Sequence, residues 1–285
     1  MIGSAVTRFL SERGVHVTEV NRTGQAVVQE NEAIKFDVLT DEIGKLIGNF
    51  SKGTTLINFI GLIRHKIDLQ SENSVAAAKK VNSIFPQELT RMSKSLDINV
   101  IQIATDCIFS GRKGKYSERS IPDPIDVYGE TKLNGELLAD NLLTLRVSIV
   151  GNEMHHHIEL MDWVMHQRLN AEILGFKNHS WNGITSLHFG KIIYGILQSD
   201  FFNAGTFHIV PEASISKFQL VSLIAGHAQR YDLNIKEFEA EKKIDRTLAT
   251  DYLENNSMLW EMAGYESPPT IDFMLEEYFE WASRK

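Results

Sequence analysis

Apolar residues along this chain fall into two spacings that alternate. A strand is read at 15–20, and near-continuous apolar runs of strand length stand at 54–60 (TTLINFI), 98–104 (INVIQIA) and 142–150 (LLTLRVSIV), the pattern of strands covered on both faces. Between them, apolar residues recur at helical spacing over 5–13, 75–95 and 127–140, and Gly14 stands where a helix C-cap glycine is expected. Strand and helix in alternation predict a parallel sheet with right-handed crossovers. Beyond Gly151 the texture changes. Helices are expected over 153–169, 186–197, 217–231 and 270–281, and a short strand over 206–210. The expectation is an α/β, Rossmann-type doubly wound sheet over 1–151. A smaller, mostly helical lobe follows over 152–285, with segments returning to the sheet and a cleft between the two.

Composition narrows the class. With 285 residues, 43% hydrophobic and 23% charged, the chain can bury a sizeable core, and disordered and fibrous classes drop out. The single cysteine, Cys107, excludes an intrachain disulfide and a Cys-based zinc cage, which favours a reducing cytoplasm. The longest apolar stretch, 56–63, is too short to span a bilayer and no signal-peptide pattern opens the chain, so no membrane association is expected. A net charge of −8 argues against a nucleic-acid surface while leaving room for a phosphorylated small ligand.

The candidate chemistry lies in VYGETKLNGE, where Tyr128 and Lys132 are four apart and share a helix face. An exposed helix face would show the same spacing. However, Thr105 stands just past a buried strand, where open parallel sheets expose their ligand-binding ends. A phenol, an ammonium and a hydroxyl at one cleft suit protonation of a carbonyl oxygen while hydride reaches its carbon, the ammonium lowering the phenol's pKa. No side chain supplies hydride, so a nicotinamide is implied.

These residues resemble the extended short-chain dehydrogenase/reductases and, within them, the dTDP-4-dehydrorhamnose reductase group. The resemblance is carried by Thr105-Asp106-Cys107-Ile108-Phe109-Ser110-Gly111, by Tyr116 and Glu118, by the run from Asp126 to Glu136, and by Leu145-Arg146-Val147-Ser148. It implies Tyr128 as proton donor, Lys132 as the group that tunes it and holds the nicotinamide ribose, and Thr105 as the carbonyl's hydrogen-bond partner. Cofactor contacts are expected from Gly3, Asn21, Arg22, Asp37, Val38, Asn58, Ile60 and Gly61. Asn82 is expected to support the active-site backbone, and substrate contacts are expected from Asp106, Cys107, Trp181 and Arg246. Asn21 stands where NAD enzymes of this fold carry an acid, and Arg22 can grip a phosphate, so NADPH is favoured with NADH admitted.

The family's G-x-x-G-x-x-G turn is represented only by its last glycine, Gly3. The expectation is therefore that the first strand and the start of that turn are missing, the chain's start having been placed too late. The alternative is a truncated protein with impaired cofactor binding. His155-His156-His157 reads as a solvated or substrate-lining loop without a carboxylate cluster, and no metal is expected. The implied function is reduction of a nucleotide-linked 4-keto-6-deoxy sugar for a surface polysaccharide, and a homodimer is compatible with it. Two further readings stay open: an epimerase or dehydratase of the same superfamily, although Cys107 replaces the dehydratase Glu, and a non-catalytic NADP-binding regulatory protein.

Overall fold

The computed structural model describes residues 2–153, 157–199 and 202–284. Helix α1 (Ile2–Glu12) precedes β1 (Thr18–Asn21), β2 (Glu32–Lys35), α2 (Ile43–Ile47) and β3 (Thr55–Asn58). Helices α3 (Glu72–Lys79) and α4 (Phe85–Lys94) come next, then β4 (Asn99–Ala104), α5 (Val127–Leu133), β5 (Leu142–Arg146) and β6 (Ile149–Val150). The remainder is α6 (Leu160–Met165), β7 (Glu172–Phe176), β8 (His179–Trp181), β9 (Ile184–Thr185), α7 (Ser186–Gln198), β10 (Gly205–His208) and β11 (Ile215–Ser216), followed by α8 (Lys217–His227), β12 (Asn234–Phe238), β13 (Ile244–Asp245), α9 (Leu253–Met262) and α10 (Ile271–Ser283).

The main sheet is parallel, in the order β10-β5-β4-β3, and β1-β2 form a separate parallel pair. β4 and β5 carry the near-continuous apolar runs, and nearly all their residues are buried, as expected of strands covered on both faces. Among the described residues no strand pairs with the second edge of β1 or of β3. Between these edges lies a cavity of about 860 Å³ lined by Val17, Val20, Leu56, Asn58 and the start of α1 at Gly3 and Ser4. The doubly wound sheet is thus interrupted between its two parallel pieces. β10 belongs to the second half of the sequence yet lies on β5. That half also carries short strands with no clear alternation, β7 paired with β12 and β8 held between β11 and β13.

Several helices differ from their sequence expectation for local reasons. The helical pattern over 75–95 is broken by a π-turn at Lys80–Ile84, just before Pro86, which has no N–H to give to a regular helix. The helix expected over 127–140 ends at Leu133. Gly135 there packs so closely on the Asn82 carbonyl that any Cβ would collide with it. The helix expected over 153–169 shrinks to α6. Ahead of it, the Glu153 carboxylate accepts the Ile158 and Glu159 amides at 2.6 and 2.9 Å, fixing a loop instead.

Candidate active site

The site is assembled at the C-terminal end of β4. Thr105 follows that strand and caps the short turn Asp106–Ile108, its hydroxyl oxygen accepting the Cys107 amide at 3.2 Å and its hydroxyl donating to Asp106 Oδ1 at 3.2 Å. Helix α5 is placed against this turn by its own sequence. Asp126 caps it by accepting the Gly129 amide at 2.8 Å, and Gly129 touches the Cys107 carbonyl where no side chain would fit. That close approach brings the Tyr128 phenol beside Thr105, close enough for the Thr105 hydroxyl to act on it.

One turn further, the Lys132 ammonium donates to the Ile103 carbonyl at 3.0 Å. Thr105 and Lys132 are therefore anchored two residues apart on one strand end. Between them on α5, Thr131 donates to the Tyr128 carbonyl at 3.1 Å. Its hydroxyl oxygen accepts Asn82 Nδ2 at 3.1 Å. Asn82 is buried in the π-turn and also clasps Leu62, accepting its amide at 2.8 Å and donating to its carbonyl at 2.9 Å. A π-turn at a functional position is a common use of this irregular geometry.

Electrostatics differ from the sequence expectation in one respect. Burial pushes the Tyr128 phenol above its ordinary pKa, with Cys107, Asp106 and Glu159 adding to the rise and the Thr105 hydrogen bond opposing it. Lys132 is itself lowered to about 8 by burial, with Glu136 pulling the other way. Burial thus leaves the phenol less acidic than an ordinary tyrosine, contrary to the expected lowering, and it holds its proton across neutral pH. Burial also pushes the Cys107 thiol up to about 12, which leaves it inert as a nucleophile at neutral pH.

The expected cofactor residues take distinct positions. Asn58 Nδ2 donates to Gln102 Oε1 at 2.7 Å and its Oδ1 accepts the Ile60 amide at 3.0 Å, which shapes the end of β3 beside exposed Gly61. Asn21 shapes the turn after β1 by accepting the Thr23 and Gly24 amides at 3.1 and 2.8 Å, and Arg22 is exposed beside it. Asp37 accepts the Leu39 amide at 2.8 Å, whereas Val38 is buried in the core. Gly3 lies in the first turn of α1 against Phe59. The strand ends carrying Asn21, Asn58 and Thr105 all close parallel strands, the edge at which such sheets present ligand-binding loops.

Of the expected substrate residues, Arg246 donates from Nε to the Phe109 carbonyl at 2.9 Å and from Nη1 to Cys107 Sγ at 3.8 Å, joining the turn after Thr105. Trp181 is a core residue whose indole N–H is engaged by Ser148 Oγ at 2.9 Å, leaving only its ring face for contact. His155 and His156 lie outside the described residues. The expectation that no carboxylate accompanies His157 is corrected. Its Nδ1 lies 3.4 Å from buried Asp162, the His166 Nδ1 lies 3.7 Å from the same oxygen, and the two rings stack at 3.9 Å. The reason is local: α6 places Asp162 and His166 on one face, and His157 reaches them from a backbone at φ +51°.

Two residues near the site were not singled out from the sequence. Glu159 acts on the Tyr128 phenol from the start of α6, and Lys217, at the first position of α8, lies with its ammonium 5.5 Å from the Trp181 ring centroid. Lys217 carried a legible signal. Ser216 and Gln219 form a capping box, and a cation in the first helical turn opposes the helix dipole.

Several proteins are similar to this chain. The beta subunit of methionine adenosyltransferase 2 from Bos taurus is 26% identical over 164 residues, covering 54% of this chain and 49% of that protein. A dTDP-4-dehydrorhamnose reductase of Aggregatibacter actinomycetemcomitans is 26% identical over 169 residues, covering 56% and 57% respectively. The chain thus spans about half the length of the curated relatives it matches. A crystal structure of dTDP-4-dehydrorhamnose reductase from Bacillus anthracis in complex with NADP superposes with a TM-score of 0.70 at 18% identity, covering 93% of this chain and 98% of that one. The model of the RmlD substrate binding domain family matches residues 1–250, and the chain belongs to that family.

Proposed function

We propose that this protein reduces a nucleotide-linked 4-keto-6-deoxy sugar with NADPH, and that Tyr128 gives the proton. The observation that carries the reading is the Tyr128 phenol set beside the Thr105 hydroxyl at the ligand-binding edge of a parallel sheet, with Lys132 fixed to the same strand end. The reductase relative supports the substrate class, and the NADP in the Bacillus anthracis structure supports the cofactor.

The residues present fit the nicotinamide, ribose and adenine parts of a dinucleotide, with Gly3 alone standing for the family's glycine-rich turn at its pyrophosphate. Asn58, Ile60 and Gly61 would line it at the end of β3 and Lys132 would hold its ribose. Asp37 and Val38 would stand near the adenine, while Asn21 and exposed Arg22 would take a 2′-phosphate better than a 2′-hydroxyl. When bound, the reduced nicotinamide supplies hydride to the carbonyl carbon.

Thr105 orients the carbonyl by hydrogen bonding its oxygen. As the oxygen gains charge, the neutral Tyr128 phenol transfers its proton to it. An alkoxide is a far stronger base than a phenolate, so a raised phenol pKa does not prevent the transfer and keeps the donor protonated. The Lys132 ammonium stabilises negative charge at this end of the cleft. Arg246 and the ring face of Trp181 border the substrate, with Arg246 placed for its diphosphate.

This reading divides the chain at about residue 151 into a cofactor-binding part and a substrate-binding part, with β10 returning to the sheet. It places the protein in the cytoplasm and is compatible with a homodimer. Among the described residues no helix is long and apolar enough to cross a membrane. The test is NADPH oxidation, followed optically, with dTDP- and UDP-linked 4-keto-6-deoxy sugars. Turnover is expected. Tight NADPH binding without turnover on any such sugar would favour the regulatory-subunit reading instead.

A further inference from the structure

We propose that Lys217 and Arg246 together form a two-cation seat for an anionic group of the ligand, either its phosphate linkage or a carboxylate on its sugar. The inference rests on the reading of the cleft as a nucleotide-sugar site and adds Lys217, a residue from a separate helix, to it.

The three-stranded sheet β11-β8-β13 brings these cations to one place. Ile215 lies opposite Trp181 in the antiparallel pair, and Asp245 lies opposite Ser180 in the parallel one. Arg246 follows Asp245 toward the Trp181 level of the parallel pair, and Lys217 opens α8 immediately after β11, from where its side chain reaches the Trp181 ring. The Lys217 ammonium stands 5.5 Å from the Trp181 ring centroid. Among the described residues it makes no hydrogen bond and no ion pair. Arg246 is held by Phe109 and Cys107 through Nε and Nη1, while its Nη2 has no acceptor among the described residues.

Among the described residues the acids around Lys217 form no ion pair with it. Asp106, Cys107, Arg246 and Glu159 are the charged and titratable groups that act on it, and burial lowers its pKa. Asp106 is the acid that acts on it most strongly, yet burial raises the Asp106 pKa, which weakens it as a permanent anion. An ammonium and a guanidinium set together in a partly desolvated cleft repel each other and lose hydration, and an anion received between them offsets both costs. A cation–π contact with Trp181 stabilises the ammonium but leaves its charge in place. The location also suits the chemistry. Thr105 takes the reacting carbonyl, and the cations border the Asp106–Cys107 turn that follows it.

Binding is measured by titration calorimetry on the full chain without NADPH, using uridine, UDP, dTDP, UDP-glucose and UDP-glucuronic acid, for the wild type, Lys217→Met and Lys217→Arg. The Met variant is expected to bind UDP and UDP-glucose at least about tenfold more weakly with uridine unchanged, and the Arg variant to recover within about threefold. A loss confined to UDP-glucuronic acid assigns the seat to a sugar carboxylate. Wild-type affinity of the Met variant for all charged ligands overturns the proposal. So does an equal loss for uridine, which marks general damage to the cleft. Because binding is read without turnover, a protein that binds UDP-sugars through Lys217 but reduces none refutes the reductase reading alone. Turnover that is indifferent to Lys217 refutes the seat alone, as does a wild type that reduces a nucleotide-linked sugar yet binds none of the charged ligands, dTDP included.

Discussion

Asn82→Ala offers a sharp test of how the fold supports the site. The side chain makes three hydrogen bonds, two to the Leu62 backbone at 2.8 and 2.9 Å and one to Thr131 at 3.1 Å, and it is only 2% exposed. Removing it frees the Leu62 amide and carbonyl and leaves the Ser83 hydroxyl, which donates to the Thr131 carbonyl at 2.7 Å, as the remaining side-chain bond from the π-turn to Thr131. At about 1 kcal/mol for each bond, the loss is about 3 kcal/mol, with a small cavity adding to it. Because Thr131 lies between Tyr128 and Lys132 on α5, the same change loosens the donor relative to Thr105. The expected outcome in urea denaturation followed by far-UV circular dichroism is a stability loss of about 3 kcal/mol with an unchanged slope. In the NADPH oxidation assay, kcat should fall by about tenfold or more, since small displacements of a donor are costly. A loss below about 1 kcal/mol with unaltered kcat would refute the claim that this asparagine joins the β3 end to the catalytic helix.

Three further outcomes follow from particular residues. The alkaline limb of kcat/KM should fall as pH rises through about 8, where buried Lys132 loses its charge; Lys132→Arg should move that limb upward, and an unmoved limb would refute the assignment. Burial would raise the Glu277 carboxyl, but hydrogen bonds from His188, Lys191 and Tyr265 outweigh it and bring it to about 2. This folded-state pKa is depressed, so its stabilisation, at most about 3 kcal/mol, is present above pH 4.5 and lost as pH falls toward 2. Glu277→Gln should remove it at neutral pH and flatten the acid-side decline in urea midpoints; an unchanged acid profile would count against it. Finally, an extended β-branched segment fused ahead of Ile2 should fill the space between β1 and β3, pair both open edges and raise Tm by more than about 5 °C. A scrambled, proline-containing extension is the control, and equal Tm for both would show that no strand fits there.

What could be read from the sequence depended on whether the determinant was local. β3, β4 and β5 were legible because strands buried on both faces leave continuous apolar runs, and Tyr128, Lys132 and Thr105 were legible because helix spacing and a strand end place them. The end of α5 was not, since it is set by Gly135 meeting the Asn82 carbonyl, 53 positions apart in sequence and adjacent only in space. The loop ahead of α6 was hidden for a similar reason: Glu153 accepts backbone amides and removes them from a helix. Some signature residues proved to hold the frame. Arg146 forms a bidentate pair with Glu136 at 2.6 to 3.2 Å, and Glu118 accepts the His208 amide at 2.8 Å, tying β10 and the 250–251 loop to the segment after Thr105. The direction of the Tyr128 shift was also beyond the sequence, because spacing along a helix shows which groups are near and not how deeply the phenol is buried.

The most direct measurement compares kcat/KM of Tyr128→Phe with that of the wild type on a nucleotide-linked 4-keto-6-deoxy sugar, with NADPH affinity measured in parallel. The account expects a fall of about 10²- to 10⁴-fold with NADPH affinity retained, the size attributed to a general acid. Wild-type turnover by the Phe variant would contradict it.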